Sequence, residues 1–534
     1  MLPELSSGVR ALQLVLTGLY IVLMLVIGWW ANKVTKGNAD SYMVGGRRFP
    51  TWLVVFTLFA TWWCGGTAMG STGAAYEEGL GGIIPDPFAA GLTLIIAGLF
   101  YMAILRKMKL RSMGAAYSRF GSTGVNLASG IYVYVYVLYL AVQFIGMGVV
   151  FHVILDLPIV WTTIIGSVIL IFYTFLGGIV AVAWTDFVQA ITIILGLVII
   201  LPISMSHAGG FKAALDTAGP DFFRSFLPSF GGKGFAHYMT YLYAWLGMGL
   251  GCITEPELLQ RSFIAKDSKT ARKSSIIGGA MYLTLGWIPI LLGLAAISLV
   301  GKGLLPADVV ANDSETIVPL IARTFLSPIP LAIFTGSLLA GLMSTGDSVL
   351  FSEAVIISND LWPRIKRKLF KKSVSEKEIL GVTQWSIIGL GLLSLVVALV
   401  MESLYDLMVY SYSLLFAMLW IPLTLGLFWK KANGPGAVAG MLGGLAVIIT
   451  GMIVNMSIVP EPEWAWILGA VCVSAVLTFS VTILTQKKSP PKPLVSEDGE
   501  IVKWPELATP EMKLKPYSGE DVIGSYTIEQ EVKK

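Results

Sequence analysis

Long apolar stretches separated by short polar connections recur along nearly the whole chain. A helix needs roughly 20 apolar residues to cross about 30 Å of hydrocarbon. Windows of about that length occur at residues 11–32, 50–78, 84–105, 124–153, 158–176, 179–206, 237–260, 275–301, 327–357, 379–401, 404–429, 435–457 and 463–485. The pattern predicts an all-α membrane protein with about 13 transmembrane helices. The first window is too long and too poorly flanked for a cleaved signal peptide.

Composition agrees with a membrane location. Of the 534 residues, 55% are hydrophobic and 13% are charged, whereas charged residues make up about 25% of a soluble domain. So few charges cannot cover a water-facing surface, which argues against a nucleic-acid binder, a cytosolic multidomain enzyme and a disordered scaffold. The three cysteines, an odd number that all lie inside apolar stretches, are neither a disulfide framework nor a zinc site; they are Cys64, Cys252 and Cys472. The three histidines stand far apart with no second ligand at helical spacing, which disfavours a metal cluster; they are His152, His207 and His237.

Lysine and arginine are concentrated in the connections that follow odd-numbered windows. The alternate connections are acidic or nearly neutral, as at Glu77 and Glu78, apart from the two longer ones at 207–236 and 302–326. Cytoplasmic loops carry the excess of positive charge. The alternation therefore predicts a multi-pass protein of the cell membrane with its N-terminus outside and its C-terminus in the cytoplasm. The basic residues counted this way include Arg47, Arg111, Arg119 and Arg261.

Two windows are interrupted by glycine or proline. The second contains residues 60–67 (ATWWCGGT) and the seventh contains residues 247–257 (GMGLGCITEPE). Unwound backbone inside a span exposes carbonyls that can replace the water around a cation. The interruptions lie five windows apart, as expected if windows two to six and seven to eleven are inverted five-helix repeats. Close helix packing through glycine is the alternative explanation for each stretch.

These features divide the chain into five regions. Residues 1–49 form the extracellular N-terminus, the first helix and a cytoplasmic loop. Residues 50–206 and 237–429 form the two repeats, and 435–485 form two C-terminal helices. Residues 486–534 form a polar cytoplasmic tail whose composition cannot bury a core and is typical of a mobile segment.

Four ionisable side chains lie inside apolar windows, where a charge costs a few kcal/mol and is usually paired or functional. They are Asp86, Asp186, Glu255 and Asp347. Asp186 and Glu255 could instead cap helices. The hydroxyls of Ser344 and Thr345 could simply bond to the preceding turn. The same hydroxyls, with carbonyls and a nearby carboxylate, also make an oxygen cage suited to a hard cation such as Na⁺.

Several motifs in order resemble the sodium:solute symporter family. They are residues 40–47 (DSYMVGGR), 173–178 (YTFLGG), 183–186 (AWTD) with Gln189, and 343–345 (MST). The resemblance runs from about residue 12 to 480. It includes similarity to bacterial proline symporters, sodium-glucose cotransporters and high-affinity choline transporters. The family implies a leucine-transporter-like inverted repeat and a sodium site shared by its members.

The resemblance also implies which residues bind the coupling ion. The backbone ligands for Na⁺ would be the carbonyls of Ala60, Trp63 and Gly341, and the side-chain ligands would be Ser344 and Thr345. Asp186 would position these ligands without binding the ion itself. Proline symporters carry a carboxylate where this chain has Trp62, so no sodium role passes to that side chain. Choline transporters match Thr61 and Trp62.

A solute pocket is expected beside both interruptions, at the middle of the membrane. Carboxylates next to aromatic faces suit an ammonium group, through charge pairing and cation-π attraction. The expected function is therefore sodium-coupled import of a small amine-bearing solute, either proline or another amino acid, or a choline-like compound. The candidate pocket residues are Trp62, Cys64, Gly65, Gly66, Asp86, Tyr139, Gln143, Trp245 and Glu255.

Other functions stay open at this point. Proton coupling would use Asp186 or Asp347, and a membrane solute sensor would signal through partners that dock near Trp504, Pro505 and Tyr517. A channel is disfavoured because no filter motif is visible, and an enzyme is disfavoured because no nucleophile lies beside a base. Na⁺, a small solute and the lipid bilayer are the expected partners. No organic cofactor, nucleic acid or obligate protein partner is expected.

Overall fold

Helices account for most of the chain in a computed structural model that describes residues 6–35, 39–155, 157–228, 234–401, 404–461 and 463–502. The first half contains α1 (Ser7–Thr35), α2 (Thr51–Trp62), α3 (Gly66–Gly81), α4 (Ile84–Met108), α5 (Gly121–Leu155), α6 (Ile159–Phe175) and α7 (Gly178–His207). Shorter helical segments, Ala39–Val44, Gly114–Phe120, Phe211–Ala218 and Asp221–Arg224, lie in the connections.

The second half contains nine longer helices. They are α8 (Phe235–Gly251), α9 (Pro256–Ile264), α10 (Ser268–Gly301), α11 (Ile317–Phe325), α12 (Pro328–Phe370), α13 (Glu376–Ala398), α14 (Leu404–Phe428), α15 (Gly434–Asn455) and α16 (Glu463–Thr485). Ala307–Asn312 is a short helix in a connection. Within the described residues, β-structure is limited to two isolated bridges, Phe49 with Ala265 and Val495 with Ile501.

The chain is a multi-pass helical membrane protein, with fewer qualifying spans than 13. Within the described residues, ten helices are long and apolar enough to cross a membrane, or eleven if the bent pair α2 and α3 counts as one span. The window 158–176 holds α6, which is only 17 residues long. The window 237–260 is divided between α8 and α9, and neither part reaches the length of a span.

Both predicted interruptions are real breaks. Helices α2 and α3 meet at an angle of 61°, and Trp63 between them has a ψ of 73°, outside the helical range. Between α8 and α9, Glu255 is extended with a ψ of 126°, and Pro256 starts the new helix. Proline fits there because its missing N–H needs no partner in the first turn.

A third discontinuity separates α6 from α7. Gly178 has a φ of 64° and a ψ of −179°, a backbone conformation that only glycine adopts without strain. A side-chain carbon at this position would lie 2.6 Å from Cδ2 of Tyr42. The turn at Gly178 redirects the chain so that α7 can bring Asp186 against α2 and α12.

Helices α5 and α12 form the centre of the bundle. In the most apolar segment of each helix, 89% of the residues of α5 and 83% of those of α12 are buried, compared with 22% for α1 and 28% for α16. Helix α12 packs along both α6 and α7, and α15 pairs with α16. Large apolar side chains such as Val15, Trp161, Trp385 and Leu484 face outward, as expected for surfaces in contact with lipid chains.

The two ends of the bundle differ in charge. We call the end with Glu77, Glu78 and Asp406 the acidic end. The opposite end, which carries Arg47, Lys109 and Arg111, is called the basic end. These names describe only the side chains at each end.

The start of the polar tail is held against the basic end, unlike the mobile segment expected for it. We call residues 487–502 the strap. The amide of Glu497 donates to the carbonyl of Met108 at 2.9 Å, and Leu494 and Val502 are buried. The carboxylate of Glu497 lies 3.5 Å from Arg47 and 3.4 Å from Arg111, and Lys109 pairs with Asp498.

Burial and an ion pair change two pKa values at the strap. Burial raises the pKa of Glu497 to about 7, against the opposing effect of Arg111 and Arg47. The hydrogen bond and charge of Asp498 raise the pKa of Lys109. The expected docking residues Trp504, Pro505 and Tyr517 lie outside the described residues.

We predict that Gly178→Ala destabilises the protein, because alanine is strained at a φ of 64° and meets the ring of Tyr42. The expected loss in the free energy of unfolding is about 1–3 kcal/mol, measured by denaturation in detergent. Gly389→Ala is the matched control, since a side-chain carbon there meets nothing within 4 Å. Equal stability of the two variants would contradict the structural role given to Gly178.

Candidate functional site

The end of α2 lies against the middle of α12. The hydrogen-bond ladder of α2 ends with Trp63 N to Phe59 O at 2.9 Å, and it resumes with Ala68 N to Cys64 O at 3.0 Å. The carbonyls between these bonds are therefore available to other groups. Thr345 of α12 donates its hydroxyl to the carbonyl of Thr61 at 2.6 Å. Gly341 lies so close to the carbonyl of Trp63 that a side-chain carbon would collide with it.

Asp186 of α7 completes this cluster. Its side chain is fully buried. Ser344 donates to Asp186 Oδ1 at 2.6 Å, and Thr57 donates to Oδ2. The structure thus brings Trp63, Gly341, Ser344, Thr345 and Asp186 into one cluster. Ala60 lies in the last turn of α2, one turn before Trp63.

The structure corrects the placement of Arg261 as a loop residue. Arg261 lies on α9 and is fully buried. Its Nη2 donates to Asp186 Oδ2 at 3.0 Å, to Thr61 Oγ1 at 2.6 Å and to Ser348 Oγ at 2.7 Å. A buried carboxylate and a buried guanidinium tolerate low dielectric only as a hydrogen-bonded pair. One side chain therefore ties α9 to α2, α7 and α12.

The chemistry of this cluster suits an alkali cation. Because Arg261 balances the charge of Asp186, the remaining groups are neutral carbonyl and hydroxyl oxygens. A hydroxyl can donate to one group while its lone pairs face a cation. Ser344 already donates to Asp186, so its lone pairs can face an ion. Asp347 lies one turn away, where Ser348 donates to its Oδ1 at 3.2 Å.

The predicted pocket is organised around Asp86. The fully buried carboxylate accepts from Thr67 Oγ1 at 2.6 Å and from the Tyr282 hydroxyl at 2.5 Å. Ser71 donates to the backbone carbonyl of Asp86 at 3.0 Å. Trp62 packs edge to face on Tyr282, with ring centroids 5.9 Å apart. The carboxylate is thus held next to the break between α2 and α3.

Met408 of α14 fills the space beside the two glycines of the break. Its sulfur lies 3.4 Å from the sulfur of Cys64, and a side-chain carbon on Gly66 would collide with it. A side-chain carbon on Gly65 would meet Leu342. The flexible thioether of methionine adapts to different neighbours.

One face of α5 carries a buried polar stripe. We call Ser129, Tyr132, Tyr136, Tyr139 and Gln143 the α5 stripe; they alternate at intervals of three and four residues, so they share one helix face. Tyr139 packs on Tyr412 with the rings tilted by 50° and their centroids 4.7 Å apart. Among the described residues, neither polar atom of Gln143 has a hydrogen-bond partner, and neither carboxylate oxygen of Glu255 has one.

Trp245 lies apart from these groups. Its ring packs edge to face on Phe226, at a centroid distance of 5.9 Å, and Phe226 packs on Phe88. Trp245 therefore belongs to an aromatic cluster toward the acidic end, whereas Glu255 follows the other end of α8. Its assignment to the pocket stays a prediction.

A cavity of about 510 Å³ opens at the acidic end. Five acidic side chains line it, Glu77, Glu78, Asp313, Glu315 and Asp406, and its described lining contains no lysine or arginine. Burial raises the pKa of Glu315 to about 8, and burial also raises the pKa of Asp313. Gly70 of α3 is part of the lining, so the cavity leads toward the break.

Sequence reasoning missed several residues of this site. The sequence did contain a signal for the burial of Arg261. This residue lies four positions after Glu257, so the two share one face of the short helix that follows the interruption. No sequence signal marked Thr67, Tyr282 or Met408, since a single hydroxyl or thioether inside an apolar window is common. Only the packing of α3, α10 and α14 brings them to Asp86 and Cys64.

Comparisons with known proteins agree with this architecture. The sequence profile described as "Sodium:solute symporter family" matches residues 42–444. The human high affinity choline transporter 1 is 26% identical over 447 residues, covering 81% of this chain and 75% of that protein. The high-affinity proline transporter of Bacillus subtilis (strain 168) is 27% identical over 482 residues, covering 87% and 97%.

A solved structure shows the same fold. The substrate-bound outward-open state of a Na⁺-coupled sialic acid symporter superposes with a TM-score of 0.74 at 22% identity, and the match covers 89% of this chain and 98% of that one. The resemblance inferred from the sequence motifs is thereby confirmed. The relatives are transporters rather than enzymes.

We predict that Asp186→Asn and Arg261→Gln each lower the free energy of unfolding by about 3–5 kcal/mol, because each leaves a buried partner uncompensated. The double variant should lose less than the sum, with a coupling of about 1–3 kcal/mol. Denaturation in detergent measures all three. Glu378→Gln, which breaks the more exposed pair with Lys366, should cost at most about 1 kcal/mol. Additive losses would contradict the direct pairing.

Proposed function

Because the chain belongs to the sodium:solute symporter family, we propose that it is a sodium-coupled symporter that imports a small amine-bearing solute by alternating access. One observation carries the proposal. The carbonyls at the break after α2 lie against the hydroxyls of α12, with Thr345 Oγ1 2.6 Å from the Thr61 carbonyl.

Na⁺ would bind in this cluster. Its ligands are the carbonyls of Ala60, Trp63 and Gly341 and the hydroxyls of Ser344 and Thr345. The hydroxyl of Thr345 exchanges its bond to Thr61 for the ion. The collision that a side-chain carbon on Gly341 would make with the Trp63 carbonyl supports this set. At this position only glycine lets the two carbonyl-bearing segments approach.

Asp186 and Arg261 position the ligands rather than bind the ion directly. Asp186 accepts from Ser344, so it orients that hydroxyl and leaves the lone pairs toward the ion. Arg261 neutralises Asp186 and holds α9 against α2. The ion therefore enters a neutral oxygen cage whose shape depends on the contact between the two broken helices.

The solute pocket is proposed between the two breaks. Asp86 and Glu255 supply carboxylates, Trp62 and Tyr139 supply aromatic faces, and Gln143 supplies an unsatisfied amide. The pocket also includes Cys64, Gly65 and Gly66, where a solute replaces the Met408 thioether. The relatives named as proline and choline transporters both handle amine-bearing solutes, which favours this class.

The proposed architecture has 13 spans with inverted repeats over residues 50–206 and 237–429. Residues 1–49 contain the first helix, 435–485 form two further helices, and 486–534 form the tail. The protein lies in the plasma membrane. Its acidic end faces the outside of the cell, and its basic end and C-terminus face the cytoplasm. This orientation follows the excess of positive charge in the connections.

Transport then follows from linkage. Na⁺ binding stabilises the outward-open form and preorganises the pocket, and closure requires both ligands. Low internal Na⁺ and the membrane potential, worth about 2.3 kcal/mol per charge per 100 mV, drive release inward.

Two alternatives share this fold. Among the described residues, Asp347 Oδ2 is buried without a hydrogen-bond partner, so proton coupling through Asp347 is the second candidate. A solute sensor would bind the same ligands without net transport and signal through the tail.

We predict that replacing both Ser344 and Thr345 by alanine raises the Na⁺ concentration for half-maximal uptake at least about tenfold, because two of five ligands are lost. One lost ligand interaction of about 1.4 kcal/mol already gives tenfold. The measurement is uptake by proteoliposomes across a Na⁺ series.

Thr335→Ala is the matched control for that series. Thr335 is a buried threonine of the same helix whose hydroxyl bonds only to the preceding turn, at Leu331 O. An unchanged Na⁺ requirement in the double variant would contradict the assignment of these oxygens as the sodium site.

We also predict that a ligand from a panel of proline, other amino acids, choline, betaine, polyamines, pantothenate and sugars raises the melting temperature in Na⁺ but not in K⁺. A ligand that binds only the folded state stabilises it by mass action, and coupled binding makes that effect depend on Na⁺. Stabilisation indifferent to Na⁺ would favour proton coupling, and stabilisation without uptake would favour the sensor.

A further inference from the structure

The α5 stripe extends well beyond the proposed solute pocket. From Gln143 to Ser129 it spans 14 residues, or about 21 Å at 1.5 Å per residue, which is about two-thirds of the hydrocarbon thickness. Every member is at least 98% buried. Buried polar groups in a membrane protein are costly unless they are paired or line a water-filled path.

Most of the stripe has no partner within the described residues. Within the described residues, no hydrogen bond of ordinary geometry reaches the hydroxyls of Ser129 and Tyr136 or the polar atoms of Gln143; the carboxylate of Asp360 faces Ser129, and the carboxylate of Glu257 faces Tyr136. Tyr132 donates to the carbonyl of Thr254, next to the break before α9, at 2.8 Å. The stripe therefore runs from the pocket, past the second break, toward the basic end.

Three buried carboxylates face this stripe. Glu257 of α9 and Glu353 of α12 both interact electrostatically with Tyr136, and Glu353 also interacts with Asp360, two turns along α12. Asp360 and Ser129 flank Gly114, because a side-chain carbon there would collide with both side chains. The carboxylates thus follow the stripe in the order Glu257, Glu353, Asp360.

Within the described residues, these carboxylates are only partly satisfied, since Ser112 donates to Asp360 Oδ1 at 2.8 Å while other oxygens accept nothing. Among the described residues, both oxygens of Glu353, Oε2 of Glu257 and Oδ2 of Asp360 accept no hydrogen bond. Two arginines interact electrostatically with this row. Arg261 acts on Glu257 while it pairs with Asp186, and Arg364 acts on Asp360 while it donates to Asn126 and Ser122. An acidic row beside unsatisfied hydroxyls is complementary to a mobile monovalent cation.

We propose that the α5 stripe, with Glu257, Glu353 and Asp360, is a cation-selective path from the solute pocket to the basic end, and that the solute is a net cation. This inference rests on the proposed function. The path is closed in this conformation and takes an organic ammonium group or Na⁺ when the basic end opens. The cavity at the acidic end supports the same charge, since its described lining carries acidic side chains and no lysine or arginine, and such a cleft concentrates cations.

A net cation also fits the pocket better than a zwitterion does. Asp86 and Glu255 are both carboxylates, so a solute carboxylate would meet like charges there. Within the described residues, the buried arginine close to the pocket, Arg261, is committed to Asp186.

Cysteine labelling tests the path without requiring the solute. Ser129→Cys is compared with Ala128→Cys, its neighbour on α5, which is equally buried but off the stripe. Proteoliposomes of known orientation are treated from the basic end, in Na⁺ or in K⁺. The reagents are cationic 2-(trimethylammonium)ethyl methanethiosulfonate and anionic 2-sulfonatoethyl methanethiosulfonate, and the unmodified chain gives the background. Tyr136→Cys serves if Ser129→Cys does not fold.

The expected result is labelling of Ser129→Cys in K⁺ that slows at least tenfold in Na⁺, with Ala128→Cys unlabelled in both. The cationic reagent should react at least tenfold faster than the anionic one, relative to their ratio with free cysteine. Adding Glu353→Gln should reduce that preference at least threefold. Absent labelling, absent charge preference or an unchanged preference in Glu353→Gln would each overturn the path.

Tetramethylammonium tests whether the path admits an organic ammonium group as well as Na⁺. Added in K⁺, it should slow labelling of Ser129→Cys, and insensitivity would contradict passage of an organic cation. Failure of the proposed function itself would show separately, as ligand-induced stabilisation that does not depend on Na⁺.

Discussion

A guanidinium can stay buried in a membrane protein only while its charge is compensated, and Arg261 depends on the carboxylate of Asp186 for that compensation. The constraint reaches across the bundle, because the same nitrogen also bonds to Thr61 and Ser348. Helices α2, α7, α9 and α12 therefore cannot separate at this point without exposing one charge to low dielectric. The break before α9 and the break after α2 are held in register by a single ion pair.

This constraint explains why the oxygen cluster can remain neutral. If Asp186 were unpaired, its charge would dominate the cluster and favour a divalent ion or a proton. With Arg261 in place, the remaining carbonyls and hydroxyls are neutral, and the proposed affinity for Na⁺ would depend on how closely the two segments approach. Gly341 permits that approach, and Gly178 turns the chain so that α7 reaches the cluster.

Much of the fold could be predicted from the sequence, because hydrophobic length and glycine or proline interruptions act locally. The breaks at 63 and 255, the turn at Gly178 and the carboxylate Asp186 all lie in segments with such signals. Apolar length alone did not indicate how the windows 158–176 and 237–260 fold, since the first holds a helix of 17 residues and the second is divided between α8 and α9.

Pairings between distant segments could not be predicted. Arg261 meets Asp186 across 75 positions of sequence, and Tyr282 meets Asp86 across 196. No local pattern encodes such contacts. Charge counting even misled for Arg261, because arginine in a short helix after a break resembles arginine in a loop.

The strap changes where the folded unit ends. The last membrane helix stops at Thr485, yet Leu494 and Val502 are buried and Glu497 bonds to the end of α4. A truncation or a reporter fusion placed at Thr485 would therefore remove packed residues as far as Val502, seventeen residues beyond the last helix. A chain shortened at the helix end would leave Arg47, Lys109 and Arg111 without their acidic neighbours Glu497 and Asp498.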